Sequence, residues 1–157
     1  MEALKSASGL TGLEILIVED SPTQAEFLRD ILERHSCRVL SAANGREAMD
    51  VVAERTPALV ISDVIMPEMD GYELCRKIKG DGRLNGIPVI LLTYLSDPQD
   101  VIRGLECGAD NFITKPYDET SLLHRIVNVL LERGQRLESG AVDRTIAHLN
   151  QMLDARA

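Results

Sequence analysis

Short apolar runs alternate with segments of helical period along most of this chain. Glu14 to Val18 (EILIV) is apolar and β-branched and stops at the acidic pair Glu19-Asp20. Ser21-Pro22 follows, a cap residue and a first-turn proline that together open helices. Phe27, Leu28, Ile31 and Leu32 then recur at helical spacing up to His35, which makes them the expected inward face. The alternation returns four more times. Val39-Leu40 predicts a strand, and Gly45 to Glu54 a helix with Ala48, Val51 and Val52 inward. Ala58 to Ser62 (ALVIS) predicts a strand ending in Asp63, and Gly71 to Lys79 a helix burying Leu74, Cys75 and Ile78. Pro88 to Leu92 predicts a strand ending in Thr93, followed by a helix from Pro98 to Cys107. Asn111 to Thr114 predicts the last strand, ending at Lys115-Pro116, and Glu119 to Arg133 the last helix of this series.

Strands that are apolar on both sides and alternate with helices predict a parallel sheet covered on both faces, an open doubly wound α/β domain. Gly134 ends the series. In the segment 134–157, Val142, Ile146, Leu149 and Leu153 fall at heptad-like spacing. That stripe predicts a helical tail that either packs back on its own domain or pairs with a second copy.

Composition narrows the picture. The chain has 157 residues, 45% hydrophobic and 27% charged, which suits one domain with a real core. Aromatics are only 3%, so that core is aliphatic. Acidic residues outnumber basic ones by 25 to 17, a net charge of −8 that repels nucleic-acid phosphates. No apolar run reaches the roughly 20 residues that span a bilayer, and Met1 to Gly12 lacks the apolar stretch of a secretory leader. Cys37, Cys75 and Cys107 are scattered, as buried small hydrophobes of a reducing cytoplasm would be. His35, His124 and His148 show no paired ligand spacing, and His148 lacks the surroundings of a phosphotransfer histidine.

Ligands of open α/β sheets bind beyond the carboxyl ends of the strands. There the sequence places Glu19 and Asp20, Asp63, Thr93 and Lys115. Converging carboxylates repel one another unless a cation joins them. Carboxylates with water and phosphate oxygens are the ligands Mg²⁺ prefers. A lysine and a threonine beside such an ion suit a tetrahedral oxyanion. The site therefore reads as metal plus phosphoryl group, with a carboxylate available as acceptor.

Glu19-Asp20, Asp63 with the following Met66-Pro67-Glu68-Met69-Asp70-Gly71, Thr93, and Lys115-Pro116 together resemble the receiver domain of bacterial two-component response regulators. The resemblance covers roughly residues 13–133, leaving 1–12 as an extension and 134–157 as the tail. It implies a flavodoxin-like fold with strand order 2-1-3-4-5. It also implies that Asp63 accepts a phosphoryl group from the phosphohistidine of a histidine kinase or histidine phosphotransfer protein. By the same resemblance Mg²⁺ (or Mn²⁺) is held by Asp20, Asp63 and the backbone carbonyl of Ile65, with Glu19 acting mainly through water. Thr93 and Lys115 bind phosphoryl oxygens, Phe112 is the aromatic switch that follows Thr93, and the Lys115-Pro116 bond is cis.

Three departures stand out: Glu19 where aspartate is commoner, Tyr94 where small residues are commoner, and Phe112 without a tyrosine hydroxyl. Ile65, Tyr94 and Leu95 flank the approach to the phosphoryl group and cannot orient a water, which predicts slow self-dephosphorylation. The expected role is a cytoplasmic phosphoacceptor switch, not an enzyme, that signals through an unidentified output protein. It stands alone or belongs to a hybrid histidine kinase, with a homodimer through the last helix and tail as a further expectation. Flavin binders of the same fold need a hydroxyl- and glycine-rich first loop, and metal-dependent phosphohydrolases need a further acid–base carboxylate and a cap. Neither pattern stands in the sequence.

Overall fold

A computed structural model describes residues 9–94 and 98–132. Five strands, β1 (Glu14–Val18), β2 (Arg38–Ala42), β3 (Leu59–Asp63), β4 (Val89–Thr93) and β5 (Asn111–Thr114), form one parallel sheet in the order 2-1-3-4-5. Between and after them run α1 (Pro22–Arg34), α2 (Gly45–Arg55), α3 (Gly71–Gly80), α4 (Pro98–Glu106) and α5 (Glu119–Glu132). This is the flavodoxin-like doubly wound architecture expected from the sequence. The tail stripe Val142, Ile146, Leu149 and Leu153 lies outside the described residues, as does Arg133.

Alternate strand residues build two cores. Ile15, Ile17, Leu59, Ile61, Ile90, Leu92 and Ile113 face α1 and α5, which contribute Leu28, Ile31, Leu32, Leu122, Ile126 and Leu130. Leu16, Val18, Val60, Val89 and Leu91 point the other way, onto Ala48 and Val52 of α2 and Leu74, Cys75 and Ile78 of α3. Leu10 is buried in the first core, where its carbonyl accepts from the Cys37 thiol at 3.8 Å. All three cysteines are free and buried. Among the described residues no helix is long and apolar enough to cross a membrane.

Phe27 departs from the sequence expectation. Its ring is 51% exposed and meets Tyr117 at 5.8 Å instead of entering the core. The buried stripe of α1 is Leu28, Ile31 and Leu32, and Phe27 falls at its edge beside the segment after β5. Asp63 and Thr93 are the last residues of β3 and β4, as the sequence predicts, so the sheet's own register holds them.

Helix starts follow local chemistry. Ser21 caps α1 by accepting from the Gln24 N–H, and Asn44 and Asp70 cap α2 and α3 in the same way, from Glu47 and Glu73. At Gly71 a Cβ would stand 2.4 Å from the Asp63 carbonyl oxygen. Only glycine lets the turn after β3 fold back this closely, and its N–H donates to Val64 O at 2.8 Å.

Candidate functional site

The strand ladder extends one residue past three strand ends. The Glu19 N–H donates to Ala42 O (3.0 Å), the Val64 N–H to Leu92 O (3.1 Å) and the Lys115 N–H to Thr93 O (2.8 Å). These bonds fix the backbone from which Glu19, Asp63 and Lys115 project. The Lys115-Pro116 bond is cis, as expected.

On that edge one carboxylate oxygen each from Glu19, Asp20 and Asp63 lies within 4.8 Å of the others. Among the described residues this is the one place where three potential ligands gather. Lys115 Nζ stands 3.1 Å from Asp63 Oδ1 and 3.5 Å from Glu19 Oε1. Glu19, Asp63, Thr93 and Lys115 are buried, while Asp20 is exposed at the rim. One ammonium thus faces three carboxylates, two of them out of water.

Titration directions agree with that imbalance. Burial, more than any other cause, pushes the Glu19 carboxyl above its ordinary range. The negative charge of Asp63 adds to this, and the Ser21 N–H and Lys115 work against it. The Tyr117 phenol is pushed up to about 12, first by burial and then by Glu19 and Asp63. A hard divalent cation would relieve this crowding, and an all-oxygen donor set open to solvent on one side is the kind Mg²⁺ takes. The residues present fit such an ion.

A cavity of about 260 Å³ opens over the cluster, lined by Asp20, Asp63, Ile65, Thr93, Tyr94 and Lys115, among others. Ile65 and Tyr94 stand at its mouth, 74% and 61% exposed. Leu95 lies outside the described residues. Phe112, on β5 beside Leu91, is half-buried away from the cavity, its ring packed against Gly104 so closely that a Cβ there would lie 2.3 Å from Cε1.

The sequence reading missed Gln24. Its carboxamide oxygen accepts from Lys115 Nζ at 2.7 Å, the shortest of the ammonium's contacts with three oxygen acceptors. It also missed a second cavity, of about 380 Å³, walled by Phe27, Tyr94, Pro116 and Tyr117 and sharing Gln24 and Lys115 with the first. No local pattern marks either feature, because both depend on α1 meeting the segment after β5.

Residues 15–127 match the family model of the response regulator receiver domain. The chain belongs to that family. A solved signal receiver domain of a signal transduction histidine kinase from Syntrophus aciditrophicus is similar to this one at 55% identity and a TM-score of 0.75, covering 82% of this chain and 96% of its own. Protein PilH of Pseudomonas aeruginosa is 38% identical over 74% of this chain and 96% of its own. Histidine kinase P4 of Formosa agariphila is 45% identical over 76% of this chain, which spans only 9% of that kinase. It is a receiver domain of the kind two-component response regulators carry, a phosphoacceptor switch domain.

Proposed function

We propose that Asp63 accepts a phosphoryl group from a phosphohistidine of a histidine kinase or histidine phosphotransfer protein, and that the acyl phosphate switches a protein-binding surface. The observation that carries this is the placement of Asp63, the last residue of β3, beside Lys115 and two further carboxylates under one open cavity. An Asp63 carboxylate oxygen attacks phosphorus, the P–N bond breaks, and the imidazole leaves with the bond's electrons and takes up a proton. Lys115 and Thr93 line the space where the phosphoryl oxygens come to rest, and each supplies hydrogen-bond donors to them.

Glu19, Asp20 and Asp63, with the Ile65 carbonyl, would hold Mg²⁺ (or Mn²⁺), which when bound neutralises the carboxylates and the charge of the transferring group. Glu19, buried and bonded to the Ser21 N–H at 3.1 Å, would serve through water, whereas Asp20 at the rim would be a direct ligand. Thr93 draws toward the phosphoryl group and Phe112 changes its packing in response, by van der Waals contact alone because it has no hydroxyl. Ile65 and Tyr94, with Leu95, keep water from the phosphorus and make the acyl phosphate long-lived. The chain turns over no other substrate and works in the cytoplasm on an output protein. Residues 13–133 act as the switch, with the last helix and the 134–157 tail offering a homodimer surface.

Intact mass after incubation with acetyl phosphate and Mg²⁺ tests the reading. One added phosphoryl group per chain is expected, with none in excess chelator. Full labelling in chelator, or no labelling with Mg²⁺, overturns it.

A further inference from the structure

Ser21-x-x-Gln24 has the form of a capping box, in which the fourth residue's side chain reaches back to the N–H of the cap. Half of that box is present: Ser21 Oγ accepts from the Gln24 N–H at 3.3 Å. The reciprocal half is not made by Gln24. Glu19 Oε2 already accepts from the Ser21 N–H at 3.1 Å, and the reach of a glutamate side chain allows this bond two residues ahead in the chain. The Gln24 carboxamide is thereby released to another task. It extends to Lys115, 91 residues away in sequence, and accepts from Nζ at 2.7 Å.

An ammonium has three protons and no acceptor, so the group facing it must be the carboxamide oxygen, not its nitrogen. The three acceptors around Nζ are Gln24 Oε1 at 2.7 Å, Asp63 Oδ1 at 3.1 Å and Glu19 Oε1 at 3.5 Å. Two of them are carboxylates whose charge and partners change when a metal or a phosphoryl group arrives. Gln24 is neutral and sits on the first turn of α1, so its bond persists through those changes. Its side chain lines both the cavity over Asp63 and the aromatic cavity of Phe27 and Tyr117, as does Tyr94, whose ring centroid lies 5.6 Å from Nζ.

We propose that Gln24 is a positioning residue: its carboxamide oxygen holds the Lys115 ammonium over Asp63 before and during phosphoryl transfer. The inference rests on the reading of Asp63 as phosphoacceptor only for its effect on rate. Its effect on Lys115 stands independently.

The test uses the full chain with ¹⁵N-labelled lysine and two variants. Gln24→Met keeps length and helix propensity but removes the oxygen, and Gln24→Glu restores an oxygen at the same reach. In the parent and in Gln24→Glu the Lys115 ammonium protons give a resolved, slowly exchanging signal, which is lost in Gln24→Met. Labelling of Gln24→Met by acetyl phosphate at saturating Mg²⁺ slows about three- to tenfold, the range one net hydrogen bond commands. Mg²⁺ affinity measured by calorimetry stays within about twofold of the parent, as expected of a residue that touches no ligand of the metal. An unchanged Lys115 signal, or an unchanged labelling rate in a parent that does label, overturns the assignment. A parent that takes no phosphoryl group overturns the proposed function instead, and the ammonium signal then decides the role of Gln24 alone.

Discussion

The sheet carries a lysine–aspartate pair at each end, and the two are built for opposite purposes. At the amino end Lys79 Nζ donates to Asp110 Oδ2 (2.8 Å), Ile87 O (2.8 Å) and Asn85 O (3.4 Å), and Asp110 Oδ2 also accepts from the Val89 N–H (2.8 Å). One positive and one negative charge meet there, and backbone carbonyls take the remaining protons. At the carboxyl end the Lys115–Asp63 pair, at 3.1 Å, shares its space with Glu19 and Asp20 and opens to a cavity. The first cluster balances itself and ties two loops to the sheet. The second is left with excess negative charge, which only something from outside can balance. Charge balance, more than the pair itself, separates structure from function in this domain.

The largest effect expected on this contrast comes from Asp63→Asn. Phosphoryl labelling is lost entirely because the nucleophile is gone. At the same time the apo protein melts at a higher temperature, since one of three crowded negative charges has been removed. A variant that labels fully, or one that melts lower than the parent, breaks the reading of the carboxyl end as an unbalanced cluster.

Lys79→Met applies the same kind of change to the other end with the reverse result. It leaves Asp110 charged and mostly buried, which costs about 3 kcal/mol of stability. Labelling stoichiometry at a temperature where the variant is folded stays at one per chain. Urea titrations of parent and variant, with mass measured on the folded fraction, check both halves.

Ile65→Asn combined with Leu95→Glu replaces two of the apolar side chains proposed to keep water from the phosphorus with polar ones. Loss of the phosphoryl group then speeds up on the order of tenfold, about 1.4 kcal/mol of barrier. Decay followed by intact mass after removal of the phosphodonor gives the rate. A double variant no faster than the parent shows that water access does not limit hydrolysis.

Gly104→Ala is expected to be the mildest in energy. Alanine gains up to ~1 kcal/mol of helix propensity, but its methyl meets the far edge of the Phe112 ring, which gives way. Stability therefore changes by no more than about 1 kcal/mol. With only two phenylalanines in the chain, ring resonances report the movement: those of Phe112 shift and those of Phe27 do not. Unmoved Phe112 resonances exclude Gly104 as the seat of the ring.

β1, β3 and β4 were legible because each is apolar on both faces and stops at a polar residue, and the reactive edge was legible because those stops, with the one after β5, are Glu19, Asp20, Asp63, Thr93 and Lys115. What escaped was set by partners distant in sequence. Phe27 satisfies the helical period, yet the width of the α1 stripe is decided by what α1 packs against, and Tyr117 draws the ring outward. Ser21-x-x-Gln24 reads as a local cap, yet Glu19 diverts Gln24 to Lys115. Lys79 and Asp110 carry no pattern that joins them, because a loop of backbone carbonyls completes their cluster.

The three amides that continue the ladder past β1, β3 and β5 also set how long the site lasts in a fluctuating molecule. A proton shared with the next strand is released only when the sheet opens there, so Glu19, Val64 and Lys115 are expected to exchange with solvent only as fast as their strands separate. Fraying at helix ends or loops leaves these three backbone bonds in place. The backbone of the reactive edge is therefore dismantled only when the sheet is, even where a side chain such as Gln24 is released earlier.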